Sequence, residues 1–378
     1  MSNSPFISRR RFLRDAPAAT AATAATAATA ATATAAAPSA DQREARKKPL
    51  TVGALNIGVY SHLAAMWAQL INGDMSYTGM QITHCWDVDP ARSEGFARQY
   101  GCQAVKTFDG MLGKVDAIIS GGYYNHAWNH ILHAPYLEAG IPNLINRPFA
   151  NSVGKARQMI ELASKHKAPL LVPSALGHND VVAKARQFVA SSPVVGYHAA
   201  AGAEDYPTHG IHGLYFLSRV IADSGYPIES VSFRAKNWHA PPGLLTYEHR
   251  GKDDRRFFGT LHTGNFGVGA LHIHTEKTGH GRTFELTIGT GAPFNQTEFW
   301  APTLWAFQQV AQGQTMPQTY EQILAKNQAF MAGWRSHLTE QGRPVRLADV
   351  PPDWQAPVAL PNRPGDPTYG QFRKAFGK

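Results

Sequence analysis

The stretch Thr51-Val52-Gly53-Ala54-Leu55-Asn56-Ile57-Gly58-Val59-Tyr60-Ser61-His62 sets the organisation of the whole chain. Small and β-branched residues (Val52, Ala54, Leu55, Ile57) lead into a turn at Gly58. Apolar residues then recur at helical spacing through Leu63, Met66, Trp67 and Leu70, which predicts strand, tight turn and helix in succession. Such a run opens a βαβ unit. The N–H groups at the start of its helix face outward and the peptide dipoles favour negative charge there, which suits a diphosphate. The full fingerprint is G-x-G-x-x-G, and the residues aligned with its glycines are Asn56, Gly58 and Ser61. Gly58 permits close backbone approach, Ser61 is small enough for a helix–strand contact, and Asn56 tolerates a left-handed backbone. A nucleotide laid across Gly58 to His62 would also meet Tyr60 and His62.

The second strand reads Gln81-Ile82-Thr83-His84-Cys85-Trp86 and ends in Asp87-Val88-Asp89-Pro90, with Arg92 shortly after. A carboxylate at that strand end is placed to accept hydrogen bonds from a ribose diol, and Asp87 is the candidate. The alternative is that Asp87 and Asp89 cap the helix beginning near Pro90.

Residues 1 to about 40 read as an address. Ser8-Arg9-Arg10-Arg11-Phe12-Leu13-Arg14 precedes a long Ala/Thr tract, Ala16 to Ala37. This resembles the bacterial twin-arginine export signal, and implies a translocase as partner during export and a periplasmic or secreted destination. Substrates of that route cross the membrane folded, commonly with a cofactor already inserted, so a dinucleotide here is expected to be tightly held. No later segment has the eighteen or so consecutive apolar residues of a membrane span.

Charge and cysteine content narrow the class further. The formal charge is +9; Arg9, Arg10, Arg11 and Arg14 against Asp15 carry a net +3 of it, so signal removal leaves about +6. That surplus suits anionic substrates or an anionic envelope, and no nucleic-acid motif accompanies it. The two cysteines, Cys85 and Cys102, are expected as small hydrophobes and not as a disulfide.

The mature length exceeds what one core usually supports, so two domains are expected. After a basic linker at 41–49, βα rhythm runs over 50–172. It comprises a helix from Pro90 to Tyr100, a short strand at Gln103 to Lys106, a helix at Phe108 to Leu112 and the strand Val115 to Ser120. The turn Gly121-Gly122-Tyr123-Tyr124-Asn125-His126 follows, then a helix from about Ala127 to Ala139 and a strand Asn143-Leu144-Ile145 that delivers the chain to Asn146-Arg147-Pro148.

This succession, closed by Phe149-Ala150 and a helix from Ser152 to His166, resembles the glucose-fructose oxidoreductase/inositol dehydrogenase (Gfo/Idh/MocA) family. The resemblance implies an α/β fold: an N-terminal Rossmann domain with a doubly wound parallel sheet, then an α+β domain (173–345) with an open, mostly antiparallel sheet. It also implies NAD(P), hydride transfer to or from a carbohydrate-like alcohol, and frequent homo-oligomers. Gly121, Gly122, His126, Asn146 and Arg147 fall on cofactor-facing positions of the family. The family tripeptide is usually Glu-Lys-Pro, whose lysine assists proton transfer. Arg147 in its place keeps the charge but is a poor proton shuttle.

The stretch Tyr206-Pro207-Thr208-His209-Gly210-Ile211-His212 stands where the family has an Asp-x-Gly-x-His element, with Thr208 on the aspartate and His212 on the histidine. His209 and His212 share a helical face and are the expected acid–base groups beside Arg147, with Tyr206, Thr208 and Trp238 near the substrate. Strands are expected at Ser230 to Lys236, Phe257 to Leu261, Gly264 to Thr275, Thr283 to Gly289 and Glu298 to Ala301. A loop is expected at Trp238 to Gly243, with helices at Pro302 to Gln312 and Tyr320 to Leu338. His272, His274 and Glu276 alternate as metal ligands or the polar face of a strand do. The Pro-rich end, 346–378, is expected as an extended tail.

The leading expectation is a periplasmic oxidoreductase that retains NAD(P) and acts on a sugar or polyol derivative. The alternatives are a cofactor-independent or metal-dependent lyase or glycoside-cleaving enzyme on the same fold, and a non-catalytic carbohydrate-binding protein.

Overall fold

Strand β1 (Leu50–Leu55) lies at the centre of a parallel sheet, with Val52, Ala54 and Leu55 shut off from solvent. Its β-branched and small side chains serve a strand covered on both faces. The computed structural model describes residues 49–377 except 59–60, 62, 74–78, 122–124, 202–205, 238–239, 252, 265–267, 278–280, 288–295 and 358–366. Lys48–Lys378 form one compact unit, and the expected export signal lies outside the described residues.

The first sheet has the order β3-β2-β1-β4-β5-β6, all parallel. Its members are β1, β2 (Met80–Trp86), β3 (Gln103–Ala104), β4 (Ala117–Ser120), β5 (Asn143–Ile145) and β6 (Leu170–Leu171). The order reverses between β1 and β4, and in open α/β sheets ligands bind at the carboxyl ends of the strands at that point. On one face a π-helical turn, Leu63–Trp67, runs into α1 (Ala68–Asn72), beside α2 (Pro90–Tyr100). The other face carries α3 (Asn129–Leu132) and α4 (Ala134–Glu138). A single helix is expected over 127–139, but Pro135 sits in the first turn of α4, where its missing N–H costs nothing, and the chain restarts there. Residues 108–112 form turns, not the expected helix. Helix α5 (Val153–Lys165) is capped by Ser152, whose hydroxyl accepts the Lys155 N–H. Cys85 and Cys102 are free thiols.

After α6 (Asp180–Ser191), the second sheet has the order β12-β11-β7-β10-β9-β8-β13, antiparallel except where β7 runs parallel to β10. Its strands are β7 (Val194–Ala200), β8 (Ile228–Asn237), β9 (Ala240–Arg250), β10 (Arg256–Thr263), β11 (Val268–Thr275), β12 (Arg282–Thr287) and β13 (Val345–Arg346). β9 starts inside the expected loop at 238–243. The main core joins this sheet to α7 (Ile211–Val220) and to α9 (Tyr320–Thr339), which opens with a capping box on Thr319 and Gln322.

Two expectations fail here. Residues 298–301 belong not to a strand but to helix α8 (Gln296–Ala311), which carries Pro302 within it. Trp300, Leu304 and Phe307 repeat at i, i+4 and i+7 and are buried against the first sheet's helical layer, Trp300 meeting Trp67 edge to face at 6.3 Å. Burying three side chains of this size, at roughly 2 kcal/mol each, outweighs what one proline removes. The Pro-rich end also departs from an extended tail. Its first part runs along α5, with Gly154 N–H donating to the Pro352 carbonyl at 2.8 Å, but it finishes as helix α10 (Thr368–Phe376), whose Phe372 is fully buried.

Candidate functional site

The turn after β1 is built from left-handed backbone: Asn56 has φ 55° and Gly58 φ 69°. The Gly58 N–H donates to Asp87 Oδ2 at 2.7 Å. Asp87 Oδ1 accepts from the Asp89 N–H and from Arg92 Nε, both at 2.9 Å. Burial pushes the Asp87 carboxyl up, and the Arg92 charge and the Gly58 and Asp89 donors pull it back. The two aspartates divide the roles weighed above: Asp89 caps α2 by accepting the Ala91 N–H, while Asp87 ties the second strand end to the turn. Ser61 Oγ accepts the Leu63 N–H at 3.1 Å. A Cβ on Gly121 would lie 2.4 Å from Leu63 Cβ and 2.7 Å from Ser61 Oγ, so the end of β4 reaches the helix start only because residue 121 has no side chain. Asn56 is fully buried, and neither its Oδ1 nor its Nδ2 has a hydrogen-bond partner. A buried amide left unmade costs roughly 1–3 kcal/mol, so a polar ligand at the turn would recover energy. The residues present fit the diphosphate of a dinucleotide.

The basic tripeptide after β5 leads away from this turn. Asn146 Nδ2 donates to the Gly121 carbonyl at 3.3 Å and its Oδ1 accepts from Arg147 Nη1 at 3.3 Å. Arg147, fully buried, donates through Nη2 to His212 Nε2 at 2.5 Å across 65 residues of sequence. His212 Nδ1 lies 2.6 Å from Ser174 Oγ. A guanidinium only donates, so Nε2 is the accepting nitrogen, the ring is neutral, and Nδ1–H donates to Ser174. Ser174 is fixed in turn: its Oγ accepts the Leu176 N–H at 3.2 Å, capping the 3-10 turn Ala175–Gly177. Contacts thus run unbroken from Ser61 through Gly121, Asn146 and Arg147 to His212 and Ser174. Behind them, Lys326 Nζ sits 4.1 Å from the centre of the Tyr215 ring, and burial pushes its ammonium down to about 7.

The structure therefore brings Asn56, Gly58, Ser61, Asp87, Gly121, Asn146, Arg147 and His212 into one line, with Arg92 on Asp87. His126 is buried nearby and its carbonyl accepts the Asn151 N–H at 3.2 Å. Tyr60, His62, Gly122 and Trp238 lie outside the described residues, and of Thr208 and His209 only the backbone, in the π-helical turn Tyr206–Gly210, is described. Tyr206 is a correction. It is a core residue, packed among Phe233, Phe330 and Trp334 with its hydroxyl donated to the Phe330 carbonyl, because the turn carrying it faces the second sheet. His272 and His274 lie 4.5 Å apart, ring to ring, on β11, but Glu276 pairs with Arg255 at 2.5 Å. Among the described residues no group of three side chains is placed to hold a metal ion. Ser174, 38 residues from His212, had no sequence signal, since only the fold joins the two.

This switch-point crevice, with its turn tied to the second strand end and a histidine–arginine pair beyond it, defines a Rossmann dinucleotide-binding domain. Residues 48–174 match the family described as "Oxidoreductase family, NAD-binding Rossmann fold" (GFO_IDH_MocA). No curated protein matches the chain. Among solved structures, scyllo-inositol dehydrogenase from Lactobacillus casei, with bound NAD(H) and scyllo-inositol, is similar at TM-score 0.63 and 14% identity, over 80% of this chain and 100% of that one. A probable dehydrogenase from Thermotoga maritima gives TM-score 0.64 at 13% identity over 80% and 100%. GenD2 from gentamicin A biosynthesis, in complex with NAD, gives 0.62 at 16% over 79% and 96%. At these identities the likeness extends to the fold.

Proposed function

We propose that the protein is an NAD(P)-dependent oxidoreductase acting on a sugar or polyol, with His212 as its proton carrier. The observation that carries this reading is the Arg147–His212–Ser174 line beside a turn with an unpartnered buried amide at Asn56. A bound dinucleotide would supply or accept the hydride. The chain's own residues handle the oxygen and its proton. Ser174 holds the proton of His212 on Nδ1, which leaves Nε2 facing Arg147 as an acceptor. A substrate hydroxyl entering between the two would donate to Nε2, while Arg147, which keeps its own proton, would hold the oxygen as negative charge develops on it. Asn146 keeps the guanidinium in line. The same tautomer argues against a hydrolytic Ser–His pair, because an imidazole that already carries its proton on Nδ1 cannot take one from Ser174.

The export signal expected over residues 1–40 would place this chemistry in the periplasm, where no cytoplasmic nicotinamide pool exists and a retained cofactor is needed. The test is to purify the protein, denature it, and assay the supernatant for NAD(P) by absorbance and mass spectrometry. Stoichiometric dinucleotide is expected, and its absence, together with a failure to bind added NAD(H), overturns the reading. His212→Ala is expected to keep dinucleotide binding and lose turnover.

A further inference from the structure

Helix α10 lies against the Asp87–Arg92 pair at the end of the second strand. Gln371 Oε1 accepts from Arg92 Nη2 at 2.6 Å, and Gln371 Nε2 donates to Asp89 Oδ2 at 3.0 Å. Arg92 is the residue whose Nε donates to Asp87, and the Asp87 side chain has 0% exposure. On the same helix Phe372 stacks on Trp128 at 5.1 Å and 15°, and Tyr369 meets the same ring at 5.8 Å. Phe376 packs edge to face on Trp86 at 6.4 Å and on Phe108 at 5.8 Å. Trp86 is the last residue of β2, and Trp128 precedes α3 beyond the end of β4. The helix therefore bridges the two strand ends that flank β1, at the carboxyl ends of the strands where open α/β sheets bind their ligands. Its polar and aromatic contacts fall in register, since Gln371 and Phe372 are adjacent and Phe372 and Phe376 are one turn apart.

We infer that α10 is a clasp that retains the dinucleotide, closing over the adenosine half and setting the rate at which cofactor leaves. This rests on the oxidoreductase reading and adds to it the part of the chain that controls exchange. Two features distinguish a clasp from mere packing. Gln371 engages Arg92 and Asp89, the charged groups beside Asp87, and not a neutral surface. The contacts that hold the helix, on Arg92, Asp89, Trp86, Phe108 and Trp128, also lie on side chains and not in a strand ladder, so it can lift without disturbing either sheet. Gln371 acts as a positioning residue by holding Arg92 against Asp87.

The test uses the whole protein, Gln371→Ala, and a chain ended after Ala356. Each is saturated with NADH and mixed with excess NAD, and the loss of bound nicotinamide fluorescence gives the exchange rate, with circular dichroism melting as a check on folding. Exchange about fivefold faster in Gln371→Ala, and faster still in the shortened chain, at unchanged stoichiometry, is the expected result. Equal rates in a folded Gln371→Ala and a folded shortened chain overturn the clasp and leave the oxidoreductase reading intact. No NADH binding by any form overturns that reading, and the clasp with it. Binding by the shortened chain alone would make α10 a plug and overturn retention.

Discussion

His212 reaches its position with one nitrogen given to Arg147 and the other to Ser174, and that pairing fixes what each residue can do. Removing the ring in His212→Ala should lower kcat by about 10²–10⁴, the usual worth of a positioned general base, with NADH affinity unchanged by fluorescence titration. An unchanged kcat would show that another group carries the proton. Ser174→Ala leaves the ring in place but frees it to take the other tautomer. A fall in kcat accompanied by a displaced pH–rate profile, with KM steady, is expected. At Gly121 the constraint is steric. A methyl group there would meet Leu63 Cβ at 2.4 Å, well inside contact distance. Gly121→Ala should cost about 1–3 kcal/mol, as overpacking generally does, read as a lowered denaturation midpoint together with weakened dinucleotide binding.

The first turn and the second strand are coupled through one carboxylate. Asp87 accepts from the Gly58 and Asp89 backbone and from Arg92, so Asp87→Ala strands the buried Gly58 N–H and removes the acceptor of two part-buried donors. Each orphaned buried donor costs roughly 1–3 kcal/mol, so a loss of a few kcal/mol of stability is expected, with dinucleotide affinity falling as the turn loosens. Asp87→Asn, which keeps an acceptor, should recover part of both. A variant as stable as the parent would show that the turn holds its shape without this tie. Elements also show where sequence patterns mislead. Residues 298–301 are β-prone as a short run, and only the repeat of Trp300, Leu304 and Phe307, seen over a longer window, marks the helix they belong to.

Across the whole molecule, several buried imidazoles are held neutral. His249 donates Nδ1–H to the Tyr226 carbonyl at 2.8 Å and accepts the Tyr197 hydroxyl on Nε2 at 2.8 Å, and burial pushes it down to about 4. Burial likewise lowers His133 to about 4. The unfolded chain takes up protons near pH 6.5 that the folded one refuses until near 4, so folding stability is fully present above 6.5 and falls as pH drops toward 4. Each histidine accounts for a loss on the order of 2–3 kcal/mol. Denaturant unfolding at pH 7.5 and 4.5 should show this drop, and His249→Gln, which can make both hydrogen bonds without titrating, should shrink it. An identical drop in that variant would mean that His249 is already protonable in the fold.

The sequence by itself determined the βα rhythm, the turn at Gly58 and the carboxylate Asp87 at the end of the second strand, because each follows from local periodicity or from spacing along one chain, whereas Arg147 and His212 were marked by the family resemblance. Local pattern also marked β8, β10, β11 and β12 of the second sheet, while β9 was hidden by the Trp238–Gly243 segment, whose prolines imitate a loop, and the two-residue β13 carried no signal. Tertiary structure alone decided the rest. Tyr206 turned inward because its neighbours across the core, Phe233, Phe330 and Trp334, are far away in sequence. Ser174 became the partner of His212 only when β6 and α7 were brought together. A Pro-rich ending gives no local hint that the segment Thr368–Phe376 finds Trp86 and Trp128 and coils to cover them. The physical reason is the same in each case: local preference is a matter of tenths of a kcal/mol per residue, whereas burying an aromatic against a distant surface is worth about 1.5–3 kcal/mol, and no local pattern announces where that surface lies.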